Sequence, residues 1–386
     1  MHKIGTKHIV FLFLFFFSTF VQAQDLNRFF QSSYSIQAEN EKKLYFQFYN
    51  SNFLKDDEYF GNLIKGYTYI GFFAQPALVY FPHKNIKIMA GAQFLKYSGL
   101  ETWGQIKPVF QFQYSPNSKV SLIFGTLNGN LNHGLEEQIY GFNRYFEHNI
   151  EEGVQVLLDY SWLNLDLWLD WEHFIYRVKA EQEHIVGGYH VKIPIFGKKS
   201  QSSLEVDLQG IINHKGGQYH PSELILQTLY NSASGLRYEY QFNKKRSPIV
   251  VGVNAWYFGY KDLSSIHQLA FNSGQAWSSN IYFRYGDIFI SSGYWRSDRF
   301  VTIFGNPLFS SISIDTPGYT QPNSKLITWK FSYGRLLYKD ISLEFRHEGY
   351  WDLNQKRIEY SLGLYLIFHG NFFLTKVSHK KTATHF

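Results

Sequence analysis

The stretch from Asn164 to Glu172 reads Asn-Leu-Asp-Leu-Trp-Leu-Asp-Trp-Glu, so Asp166, Asp170 and Glu172 alternate with Leu165, Leu167 and Leu169. A row of carboxylates on one side of a strand, facing an enclosed passage, sets up a field that orders water and filters solutes by charge. Asp159, Glu205 and Asp207 lie on similar segments, and Lys107, Arg237, Arg284, Lys330 and Arg346 lie on others. Acids fall on the sixth, seventh and ninth alternating segments, bases on the fourth, tenth, twelfth, fourteenth and fifteenth. That separation implies either two walls of opposite sign or pairwise salt bridges filling a narrow interior; sequence supplies no distances to choose between them.

Covalent chemistry finds less support. There are 15 His, yet none stands in a His-Glu-x-x-His or comparable ligand spacing, so no metal and no cofactor is expected. Gly-x-Ser-x-Gly is absent, and no motif selects a nucleophile, a base and an orienting group. No catalytic residue is assigned, and the expectation is a protein that is not an enzyme. Trp168, Trp256 and Trp295 would either stack on sugar rings along a passage or pack against neighbouring side chains.

What positions these groups is strict period-two alternation, the signature of β-strands with one oily face. Sixteen such segments recur, from 41–50 at one end to 357–368 at the other. Their connections alternate long and short, as in an up-and-down transmembrane barrel with tight turns on one rim and long loops on the other. Soluble sandwiches also alternate, so a second feature has to decide. Each of seven short turns is preceded by an aromatic: Phe81, Tyr114, Tyr160, Phe196, Phe242, Tyr285 and Tyr338. Rings at the headgroup level, apolar in body and polar at the tip, form the girdle of such barrels. On this register Leu163 to Trp171 at odd positions face lipid, and a charge there would cost about 2 to 4 kcal/mol at the midplane for Lys or Arg. The loop 128–151 carries Glu136, Glu137, Glu147 and Glu151 and is expected as a solvated acidic outer loop; folded inward it would form a constriction. The loop 297–323, with Pro307, Pro317 and Pro322, is the other candidate lid.

The N-terminus reads as an export signal over 1–23, with Lys3 and Lys7 before an apolar core and Val21-Gln22-Ala23 at the cleavage site. A periplasmic segment over 24–40, a barrel over 41–376 and a polar tail over 377–386 complete the expected organisation. No Cys occurs, which excludes disulfides and thiolate metal sites. The net charge of +6 is carried largely by Lys3 and Lys7 in the signal and by Lys376, Lys380 and Lys381 in the tail, so the body has no basic stripe for nucleic acid.

In these features the chain resembles Gram-negative outer-membrane β-barrels, and its aromatic, Asn- and Lys-rich style is similar to porin-like barrels of the Bacteroidota. Ser361, Gly363, Leu366 and Phe368 fit the polar-x-Gly-x-x-apolar-x-apolar β-signal of that class. It departs in position, because eighteen residues follow. The resemblance implies an all-β transmembrane antiparallel barrel in the outer membrane, surrounded by lipid and lipopolysaccharide and inserted by the barrel-assembly machinery. The function expected first is passage of small solutes through a polar lumen. A non-conducting structural or surface-polysaccharide partner, or a barrel enzyme acting on lipid or glycan, are the alternatives.

Overall fold

The computed structural model describes residues 27–31, 36–176, 181–197, 201–217, 224–242 and 249–377. The proposed signal 1–23 and all but the first residue of the tail lie outside them.

Sixteen antiparallel strands close into one barrel, each pairing with its sequence neighbours and β1 with β16. In chain order they are β1 (Lys43–Glu58), β2 (Thr68–His83), β3 (Ile86–Tyr97), β4 (Gln105–Asn117), β5 (Val120–Thr126), β6 (Glu152–Asp159), β7 (Asn164–His173) and β8 (Glu183–Phe196). There follow β9 (Ser202–Gly216), β10 (Gln227–Phe242), β11 (Ile249–Asp262), β12 (Ser273–Tyr285), β13 (Ile288–Asp298), β14 (Asn323–Tyr338), β15 (Ile341–Asp352) and β16 (Arg357–Lys376). Among the described residues no helix is long and apolar enough to cross a membrane. Closure satisfies every strand edge, which hydrocarbon requires.

The opening stretch behaves as its alternation demands. Leu167 is 47% exposed on the outer face, while Trp168 and Asp170 are 3% and 2% exposed inside. Leu236, Tyr238 and Phe242 likewise face out. The last strand runs eight residues beyond the 357–368 expected, and residues 369–376 complete the pairing with the start of β1. Ser361 and Gly363 of the β-signal stretch face the lumen; Leu366 faces out, and Phe368 packs at a tilt against Phe48, centroids 5.9 Å apart.

The aromatic row needs one correction. Tyr114, Phe196, Phe242, Tyr285 and Tyr338 are all at least 40% exposed on the outer surface. Tyr160 lies in a turn, covered by Lys119 and Trp162. Phe81 is 0% exposed. Its parity is that of Tyr69, Phe73, Ala77 and Val79, the lumenal residues of β2, so it packs inward against Tyr45 at 6.0 Å. Parity along the strand, not proximity to a turn, decides which face a ring takes.

The lumen is filled. Residues 128–151, expected as a solvated outer loop, fold inside, and so do residues 299–322. Ile139, Tyr145, Phe146, Phe300, Val301 and Phe309 are at most 2% exposed and form continuous apolar clusters with wall residues such as Phe73, Trp256, Trp295 and Tyr365. The two loops pair through Gly141 N to Phe304 O (2.8 Å) and Asn306 N to Glu137 O (2.9 Å). Asn231 on the wall substitutes for a strand, donating to Val301 O (2.9 Å) and accepting from Ile303 N (2.8 Å). Phe30, ahead of the barrel, inserts edge-on against Phe142, Tyr145 and Tyr365. Gly188 has no room for a side chain: a Cβ there would lie 2.2 Å from Trp168.

Candidate functional site

Two groups of polar residues deserve comparison: those that bind the plug to the wall, and a smaller set on the outside of the barrel.

On the acidic wall, the plug supplies imidazoles. His133 sits between Glu151 (Nε2 to Oε2, 2.7 Å) and Asp166 (Nδ1 to Oδ2, 2.7 Å), stacked on Trp168 at 3.6 Å. Burial alone would discharge the ring, but the two carboxylates outweigh it and raise its pKa to about 10. Glu151 is correspondingly held at about 2: burial is overcome by His133, Arg144 and the Tyr140 hydroxyl. His148 approaches Asp170 at 3.2 Å, and the wall residue His190 holds Asp207 at 2.9 Å. Glu205 shares the lumenal face of β9 with Asp207. Asp159 lies at the rim, accepting from Asn164.

On the opposite wall, the same plug supplies carboxylates. Glu136 lies 3.6 Å from Arg237, and Glu137 accepts from Lys330, whose ammonium also reaches Glu348 at 2.9 Å. Arg284 pairs with Glu239, and Arg346 with Glu344 at 2.6 Å while also donating to Asn27 at 3.1 Å. Lys107 donates to Ile150 O at 3.4 Å. The lumenal charges are therefore paired, some with the plug (Asp166 with His133, Arg237 with Glu136, Lys330 with Glu137) and some with other wall residues (Asp207 with His190, Arg284 with Glu239, Arg346 with Glu344). Trp168, Trp256 and Trp295 are covered by plug and wall side chains, with no face free for a sugar.

What space remains is divided. A vestibule of about 710 Å³ opens between the long loops, and a lower cavity of about 200 Å³ lies beneath. Glu137, Phe142 and Glu348 line both, so they form the partition.

Outside the barrel, His214 on β9 is paired in register with Thr228 on β10. Alternation turns both outward, because their neighbours Asn213 and Leu229 face the lumen. Thr228 Oγ1 lies 2.9 Å from His214 Nδ1, within hydrogen-bond reach, and in the tautomer with its proton on Nε2 the ring accepts from the hydroxyl. Thr228 is held by its backbone, its N donating to Ser264 Oγ (2.9 Å) and its O accepting from Leu263 N (2.8 Å). Two residues nearer the membrane centre, Tyr230 meets Tyr189 hydroxyl to hydroxyl at 3.0 Å on the outer face. Tyr230 and Tyr240 stand ten residues apart on β10, about 26 Å along the membrane normal at ordinary strand rise and a tilt near 40°, which matches a roughly 25 Å apolar band. The His214–Thr228 pair therefore sits just beyond the outer aromatic level, flanked by the exposed Leu224, Ile225 and Leu226. No sequence motif marks it, since its two members are joined only by strand register.

Among solved structures, the chain is similar to a loop-deleted OmpT of Vibrio cholerae, at 10% identity and TM-score 0.51, covering 85% of this chain and 100% of that one. It is also similar to OprD of Pseudomonas aeruginosa, at 11% identity and TM-score 0.49, covering 87% and 98%. At such identity the likeness to OmpT shows the fold, that of an outer-membrane barrel. No curated protein matches the chain. A family model does match, over residues 36–377, described as Lipid A 3'-O-deacylase-type. That family is named for an enzyme, so the expectation of a barrel without covalent chemistry is overturned. The match takes in all sixteen strands and both plugging loops, and the protein belongs to the Lipid A 3'-O-deacylase-type family.

Proposed function

We propose that this barrel is an outer-membrane hydrolase that releases an ester-linked acyl chain from lipid A, working on the lipid-facing surface and not through the lumen. The observation that carries the reading is the outward His214–Thr228 pair, just beyond the outer tyrosine level, where the ester linkages of outer-leaflet lipid reside. Family membership supplies the class of reaction.

In this mechanism His214 Nδ1 takes the Thr228 hydroxyl proton as Oγ1 attacks the ester carbonyl. The proton passes to the departing sugar oxygen, leaving an acyl-threonine. Water, deprotonated by the same ring, then releases the fatty acid and restores Thr228. Leu224, Ile225 and Leu226 offer an apolar surface for the acyl chain. The filled lumen supports this reading over solute passage, because residues of both long loops occupy the interior and Glu137, Phe142 and Glu348 stand between vestibule and lower cavity.

The test is incubation of the detergent-folded barrel with purified lipid A and mass spectrometry of the product. Loss of one acyl chain with the wild type, and none with His214→Ala or Thr228→Ala, is the expected result. Intact lipid A after incubation with a folded wild type, or equal release by both variants, sinks the proposal.

A further inference from the structure

We propose that the junction between plug and wall is a binding site for a zinc-class divalent cation, formed by His148, Asp170 and Glu172, with His184 orienting Glu172. His148 comes from the plug, Asp170 and Glu172 from the lumenal face of β7, and His184 from the neighbouring β8. One donor atom from each of His148, Asp170 and Glu172 lies within 4.8 Å of the others. His148 Nε2 faces both carboxylates, 3.2 Å from Asp170 Oδ2 and 3.5 Å from Glu172 Oε1. His184 Nδ1 is 2.8 Å from Glu172 Oε2.

The two carboxylates and the His184 ring are each fixed by a further partner. Asp170 Oδ1 accepts from Glu152 N at 2.8 Å, Glu172 Oε1 accepts from Arg144 at 2.7 Å, and His184 Nε2 is held by Asn213 Oδ1. Asn213 Oδ1 and Glu172 Oε2 engage the two nitrogens of His184, so the ring fixes the Glu172 carboxylate in place. Outer partners that orient imidazole and carboxylate ligands in this way are what metal sites have in common. The contrast with His133 is informative, since both of its nitrogens end on carboxylates and its face is covered by Trp168, which leaves no open position.

One imidazole and two carboxylates, with a position left for water, suit zinc or a neighbouring transition ion and suit calcium poorly, because calcium takes six or more oxygens. Arg144 leaves one of the two carboxylate charges uncompensated, which favours a cation. The site is not sealed: the His148 and His184 side chains are each 21% exposed, and Arg144, bonded to Glu172, lines the vestibule. The ion would tie the plug to the wall, a role independent of acyl hydrolysis.

The experiment is calorimetric titration of untagged, metal-stripped, detergent-folded protein with Zn²⁺ and, separately, Ca²⁺. One Zn²⁺ per chain is expected, bound at least tenfold tighter than Ca²⁺. His148→Ala and His184→Ala should each weaken zinc at least tenfold, and Co²⁺ should give visible absorption bands that both variants lose. Asn213→Ala, which leaves all three ligands in place, should still weaken zinc about tenfold or more and serves if a ligand variant loses heat-modifiable migration. Absence of stoichiometric Zn²⁺ binding by the folded wild type overturns the proposal, as does unchanged affinity in folded His148→Ala and His184→Ala.

Discussion

His133 and His214 belong to the same barrel and could hardly be used more differently. His133 is 1% exposed and locked between two carboxylates; its chemistry is spent on holding a plug. His214 is half-buried on the outer wall, with one nitrogen directed to a hydroxyl and lipid within reach. The lumen holds most of the charge, yet its groups are paired with one another. A strongly shifted ionisation marks a candidate site only when a substrate can reach it, and by that criterion the sparsely charged exterior is the better place for catalysis.

The largest expected effect separates the two histidines by activity. His214→Ala should lower deacylation by about 10² to 10⁴-fold, measured on lipid A, with the barrel still heat-modifiable. His133→Ala should leave deacylation within a few-fold of wild type. It would instead strand Glu151 and Asp166 without their partner, a loss of about 3 to 5 kcal/mol. The readout is planar-bilayer conductance, silent for the wild type and present once the plug loosens.

Next comes the wall between them. Leu167→Arg places a charge in lipid at a cost of about 2 to 4 kcal/mol and should impair assembly, scored by heat-modifiable migration. Asp166→Asn, one residue away but inside, should assemble well; equal defects would contradict the register.

The smallest effect is on pH. The raised pKa of His133 contributes stability that is fully present below about 6.5, its ordinary value, and is lost as pH rises through about 10. The lowered pKa of Glu151 contributes stability present above its ordinary value near 4.3 and lost as pH falls through about 2. Thermal melts should therefore show a plateau between about pH 4.5 and 6.5, declining on both sides, and His133→Gln should flatten the alkaline arm.

How much of this was legible in the sequence follows from what each feature depends on. Strand number and facing depend on local alternation, so Leu163 to Glu172 reveal their arrangement directly. Phe81 misled because its place beside a turn was weighed and its parity was not. The plug escaped because its glutamates were read without their partners: Glu136 meets Arg237 and Glu137 meets Lys330 only after closure. A usable signal was present, since Ile139, Tyr140, Phe142, Tyr145, Phe146 and Ile150 make 128–151 too apolar for a solvated loop. The His214–Thr228 pair had no comparable signal. Histidine and threonine fourteen residues apart are unremarkable until hairpin register sets them side by side.

The claim that chemistry occurs outside a filled barrel is tested most directly by labelling. The folded wild type, treated with a lipid-tailed fluorophosphonate, should carry one adduct, mapped by peptide mass spectrometry to Thr228 and absent from His214→Ala. An adduct on a lumenal or vestibule residue, or none on a barrel that hydrolyses lipid A, would contradict the account.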